Sequence, residues 1–115
     1  MPPVHEFGII ENFDRRKDYG CYAPKKYHCI SVDDYLIKDL SISLNNMKTY
    51  FHSYNRPEFN LAYCGVTIIP PQSLSLFYDV VVSSVNFKKS DELASLATKI
   101  AQAREAKKYM IHFGI

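Results

Sequence analysis

Only four glycines occur in the 115 residues, and none stands in G-x-G-x-x-G or G-x-x-x-x-G-K-[ST]. The loop that cradles phosphate with backbone N–H groups is therefore missing, and no nucleotide cofactor is indicated. Cysteine is as scarce. Cys21, Cys29 and Cys64 are odd in number and unclustered, which argues against a disulfide framework and for reduced thiols. No apolar run approaches the roughly 18 residues of a membrane span. The opening M-P-P-V-H-E has no basic-then-apolar layout of a secretion signal. The expected setting is the cytoplasm, with no membrane partner. Excess charge is lacking too: 14 Lys and Arg against 12 Asp and Glu leave +2, too little to draw the chain onto nucleic acid by itself. Low-complexity tracts and repeats are absent. With 47% hydrophobic residues, the chain has the size and apolar content of one domain spanning residues 1–115.

Catalytic signatures are also missing. His5, His28, His52 and His112 are far apart, with no H-E-x-x-H and no C-x-x-C. A metal site would need Cys21, His28, Cys29 and His5 to meet in space, and none is expected. The plainer reading puts His28 and His112 on strand faces and His52 near a helix end. Asp33 and Asp34 suit the positive end of a helix dipole better than a carboxylate pair. No serine stands in G-x-S-x-G. Lys25-Lys26, Lys88-Lys89 and Lys107-Lys108 are separated pairs that would form a basic patch only by converging.

What the chain does have is the uncharged run L-A-Y-C-G-V-T-I-I-P-P, Leu61 to Pro71. Neither of its alternating faces suits water, so it reads as a central strand covered on both sides, by helix or by loop, and stopped by Pro70 and Pro71. Gly65 within it marks a bulge, or a place where backbone or a ring packs close. Phe7–Glu11 and Tyr27–Val32 read as short strands. Ser31 opens a helix whose stripe Leu36, Leu40, Leu44, Met47 and Phe51 carries it to about Ser53. A turn over Tyr54–Asn60 follows. A second helix after Pro71 is predicted, although Val80-Val81-Val82 fits a strand as well. A third helix is capped by Ser90, with Asp91 and Glu92 in its first turn. Tyr109–Ile115 alternates like a strand. The expected fold is α/β (α+β), β-β-α-β-α-α-β, with about four strands in a mixed sheet and about three helices.

Asn12–Lys26 has no sustained period, and at about 15 residues it exceeds the usual connection length. It carries Phe13, Arg15, Arg16, Tyr19 and Tyr22, with Asp14 and Asp18 among them. These rings and guanidinium groups are the residue types that anchor protein interfaces. The turn adds Tyr54, Arg56, Glu58 and Phe59. Two readings stay open: the loop is an interface, or Phe13 and Tyr22 fold back as a lid and its rings are core. In its length, its missing catalytic signatures and its long aromatic loop, the chain resembles the small cytosolic immunity proteins that neutralise contact-dependent-inhibition and other polymorphic toxins of bacteria. The resemblance is one of class, carried by no family motif. It implies a non-enzymatic protein whose partner is a cognate toxin domain, with no cofactor. One departure is charge, since immunity proteins against nucleases are often acidic. Either the contact surface is locally acidic, or the toxin is not a basic nuclease. A small enzyme built on the scattered histidines and a nucleic-acid-associated protein are the alternatives.

Overall fold

The computed structural model describes residues 3–115. Met1 and Pro2, where the reading of a missing secretion signal begins, lie outside them. Among the described residues the order is β1 (Val4–Ile10), β2 (Ile30–Asp33), α1 (Asp34–Ser41), β3 (Lys48–Phe51), β4 (Pro57–Phe59), β5 (Val66–Ile69), α2 (Leu74–Ser83), α3 (Asp91–Ala106) and β6 (Tyr109–Phe113). The strands form one six-stranded sheet, β2-β1-β6-β5-β3-β4. Every neighbouring pair is antiparallel. The expected four-stranded mixed sheet is thereby corrected, while the α+β class agrees.

The two extra strands lie where a helix and a turn were expected. Leu36, Leu40, Leu44 and Met47 do face the core, but α1 stops at Ser41. Beyond it Leu44 N donates to Ser41 O (3.2 Å) and Met47 N to Leu44 O (3.0 Å), so successive tight turns maintain the apolar spacing. Asn60 Nδ2 donates to Ser41 O at 2.8 Å and pins the helix end. The following Lys48-Thr49-Tyr50-Phe51 is rich in strand-forming residues and pairs with both β4 and β5. Pro57 is tolerated because β4 is the sheet's edge. Ser31 lies in β2, and it is Asp33 that caps α1, accepting from Tyr35 N at 3.0 Å. The strand expected from Tyr27 begins at Ile30, after a 3-10 turn over Pro24–Tyr27.

The central run is a strand only over Val66–Ile69. Gly65 precedes it, with φ 104°, in a region that L side chains rarely adopt. A Cβ there would also stand 3.0 Å from His52 Nε2, so a ring does pack close. β5 and β6 occupy the middle of the sheet, and the run is covered on both faces. On one face Phe7, Ile69 and Met110 pack against Leu36, Leu40, Phe77, Leu93 and Ile100 of the three helices. On the other, Ile10, Val66, Ile68, Ile111 and Phe113 lie beneath Tyr19 and Tyr27, with Phe13 and Cys29 beside them. Burying such side chains contributes about 1.5–3 kcal/mol each before chain entropy is counted. The long loop is thus the second layer of the fold.

α2 is helical through Val80–Val82. In α3, Ser90 Oγ accepts from Leu93 N at 3.1 Å. The Glu92 carboxylate reaches back to Asp33 N at 3.2 and 3.3 Å, tying the start of α3 to that of α1. Ser90→Ala is expected to cost about 1 kcal/mol, read as a lower urea midpoint with an unchanged slope. No helix among the described residues is long and apolar enough to cross a membrane.

Candidate functional site

The loop after β1 and the turn between β3 and β4 meet. Tyr19 N donates to His52 O at 2.7 Å, which holds the loop against a turn whose own sharpness comes from His52 at φ 67°. Around this junction the Phe13 ring stacks on Tyr109 at 3.8 Å and on Tyr19 at 5.5 Å. Tyr54 stacks on Tyr50 at 4.4 Å, and the Arg15 guanidinium lies 5.0 Å above the Tyr54 ring. An arginine seated on a ring has fewer rotamers left to lose on binding, so the group is partly preorganised. Arg16 and Arg56 are exposed beside it in sequence, and the Arg16 backbone N–H is held by Asp14 Oδ1 at 2.8 Å.

The residues singled out in the sequence divide four ways. Arg15, Tyr54 and Arg56 belong to this junction. Tyr19, only 3% exposed, is a core residue and not a contact anchor; its hydroxyl accepts from Asp14 N at 2.9 Å. Tyr22 lies elsewhere on the same layer, 64% exposed, edge-on to Phe113 at 5.3 Å and donating its hydroxyl to Glu6. Glu58 and Phe59 stand exposed on edge strand β4, with Phe59 opposite Lys48. Tyr50 and Tyr109 were not singled out. Tyr109 heads an alternating strand, a usable signal, whereas Tyr50 was hidden by its placement in a helix.

A second constellation lies on the helix side of the sheet, buried. His5 and His112 are both 0% exposed. His5 Nδ1 is 2.8 Å from His112 Nε2, and His5 Nε2 is 2.8 Å from Asp34 Oδ1. His112 Nδ1 is 3.1 Å from Thr67 Oγ1, which itself accepts from Ala62 N at 2.8 Å. Tyr63 donates its hydroxyl to Asp34 Oδ2 at 3.0 Å, and Lys38 pairs with the same oxygen at 3.3 Å. The ends give the chain its polarity. The Asp34 carboxylate only accepts, so His5 donates from Nε2; with both rings neutral, His112 Nε2 donates to His5 Nδ1. His112 Nδ1 then accepts the Thr67 hydroxyl.

Burial pushes the Asp34 pKa up, but the bonds from His5, Tyr63 and Lys38 outweigh it and hold the carboxyl below its usual range. Burial, with His5 beside it, holds His112 well below the ordinary histidine range. Asp34 is thus the anchor of a buried chain as well as a residue of the first helical turn. His28 is exposed in a left-handed turn, and His52 lies in a hairpin turn and not near a helix end. The chain can stabilise a neutral histidine pair. With both imidazoles enclosed, it offers no open general base.

Among the described residues no group of three or more His, Cys, Asp or Glu side chains is arranged to hold a metal ion. The three thiols are free, Cys21 and Cys64 exposed and Cys29 half-buried. Burial, then the Glu6 charge, pushes Cys29 up to about 12. An exposed-thiol reagent at pH 8 is expected to modify Cys21 and Cys64 rapidly and Cys29 only on unfolding. Mass spectrometry after partial labelling checks this, and rapid labelling of all three would show the loop layer to be open. Comparison with known proteins finds no family model, no curated protein and no solved structure that matches this chain.

Proposed function

We propose that the chain is a non-enzymatic recognition protein of the immunity type, which binds one bacterial toxin domain in the cytoplasm and blocks it. The observation that supports this is the convergence of the loop and the hairpin turn on one ring-and-guanidinium surface, with Arg15 seated on Tyr54. Such a surface brings large contact area with few rotors to freeze. The Arg15 guanidinium, with Arg16 and Arg56 exposed next to the surface in sequence, favours an acidic contact on the partner. Of the two ways to account for a slightly basic chain, this points to a toxin domain that is not a basic nuclease.

The enclosed histidine pair does not favour the enzyme alternative, because a general base must reach the proton that it takes. The test is to co-express the chain with the toxin domain encoded beside its own reading frame. Restored growth together with a 1:1 complex on gel filtration is expected. A neighbouring frame without a toxin, or growth inhibition that the chain leaves untouched, would overturn the reading.

A further inference from the structure

Lys17 comes from the long loop, Lys26 from the 3-10 turn before β2, and Lys99 from the middle of α3. All three line one cleft of about 560 Å³, together with Tyr19, Tyr27 and Gln102. The Lys17 ammonium stands 5.0 Å from the Tyr19 ring and the Lys26 ammonium 5.7 Å from the Tyr27 ring. The two rings are 6.5 Å apart. The two ammonium groups thus stand over neighbouring rings of one cleft, and each has only donors to offer. The Lys26 side chain is the largest cause of a Lys17 pKa below the ordinary lysine range, opposed by Asp14, while Lys26 itself is held above that range, chiefly by Lys17. From the third side Lys99 Nζ donates to His28 O at 2.9 Å, leaving two of its hydrogens for another acceptor.

Two carboxylates, Glu11 and Asp14, line the same cleft, and Asp14 acts on Lys17. Glu11 pairs with Lys108, and Asp14 Oδ1 accepts from Arg16 N at 2.8 Å. Two like charges side by side are unfavourable unless an anion lies between them. A phosphoryl group, with several acceptor oxygens, is the chemistry that satisfies three converging ammoniums. The cleft lies within the roughly 300–1,000 Å³ range of small-molecule sites and is larger than a lone phosphate needs.

We propose that this cleft binds the diphosphate group of a phosphorylated small molecule of nucleotide size, held by side-chain ammoniums in place of a glycine-rich loop. The cleft shares the loop and Tyr19 with the recognition surface but none of its arginines, so the two are tested by different substitutions. Two of the three lysine pairs that looked scattered in the sequence contribute, through one member each: Lys26 lines the cleft, and Lys108 engages Glu11 beside it.

The test is a calorimetric titration of the whole chain with inorganic pyrophosphate and, separately, adenosine diphosphate, both at an ionic strength fixed with sodium chloride. Sub-millimolar binding of both is expected. Equal affinities would show that the oxyanions alone are read, and tighter binding of the nucleotide would show that the cleft also takes the organic body. Lys17→Met combined with Lys26→Met should weaken binding at least about tenfold, and Lys99→Met, on a different element, about fivefold or more, in line with charge-assisted bonds. Because the first two lysines repel each other, their removal should leave the melting temperature of the free protein unchanged or slightly higher. Binding that survives all three substitutions would overturn the proposal. So would a response that sodium chloride alone reproduces, or a double variant that is less stable than the parent.

Discussion

His112→Leu is expected to lower the unfolding free energy by about 2–4 kcal/mol at pH 7.5, because it takes a hydrogen-bond partner from each of two buried polar groups, at about 1–3 kcal/mol each. Those groups are His5 Nδ1, 2.8 Å from His112 Nε2, and the Thr67 hydroxyl, 3.1 Å from His112 Nδ1. Urea unfolding reads the loss. The same chain makes stability depend on pH. His112 is held well below the ordinary histidine range by burial and by His5, so below about pH 6.5 the unfolded chain binds a proton there that the folded chain resists.

For a depressed histidine the contribution is complete above the unfolded pKa and is lost as the pH falls from there. The slope approaches about 1.4 kcal/mol per pH unit for one proton. Asp34, held low by His5, Tyr63 and Lys38 despite its burial, adds a loss of the same sign below about pH 4. The leucine variant should therefore be less stable at neutral pH yet flatter between pH 6.5 and 4.5. The other charged and titratable groups facing the pair are Lys38 and Tyr63, both bonded to Asp34. A wild-type stability that does not change from pH 7 to 5 would show the pair to be accessible to protons in the fold.

The histidine pair was within reach of the sequence, though not its geometry. Phe7 and Ile9 line the helix face of β1, and a period of 2 puts His5 on that same face, as it puts His112 with Met110. A polar ring on an apolar face needs a buried partner, and that signal could have been read. The identity of the partner could not be, because β1 beside β6 is a contact between the two ends of the described chain. The helices that begin with a cap and an acidic turn were legible for the same local reason. The length of α1 was not, since tight turns at Ser43 to Met47 reproduce the helical spacing of Leu44 and Met47. β4, three residues with a proline, is strand only because β3 lies beside it. The loop was recognised as unusual, and it does cover the sheet through Phe13 and Tyr19, whereas Tyr22, expected to fold back with Phe13, is 64% exposed, and Arg15 and Arg16 are exposed with it.

That division sets up the other large effect. Arg15→Ala, Arg56→Ala and Tyr22→Ala, combined, are expected to leave the melting temperature within a few degrees and to weaken capture of the cognate toxin domain at least about a hundredfold, roughly 2.7 kcal/mol. Arg15 and Arg56 are solvent-exposed, and Tyr22 is 64% exposed, so their removal opens no cavity. Tyr19→Ala should behave in the opposite way. Its ring is 3% exposed, between Phe13 at 5.5 Å and Tyr27 at 6.5 Å, and removing a buried ring of this size costs about 3 kcal/mol or more. Binding by the Tyr19 variant should fall only in proportion to the unfolded fraction. Phe59→Ala probes the edge strand separately: a loss of affinity there without one at Arg15 would move the contact surface from the loop and turn to β4. Affinity unchanged in all of these variants would remove the loop, the turn and the edge together as the place where a partner is held.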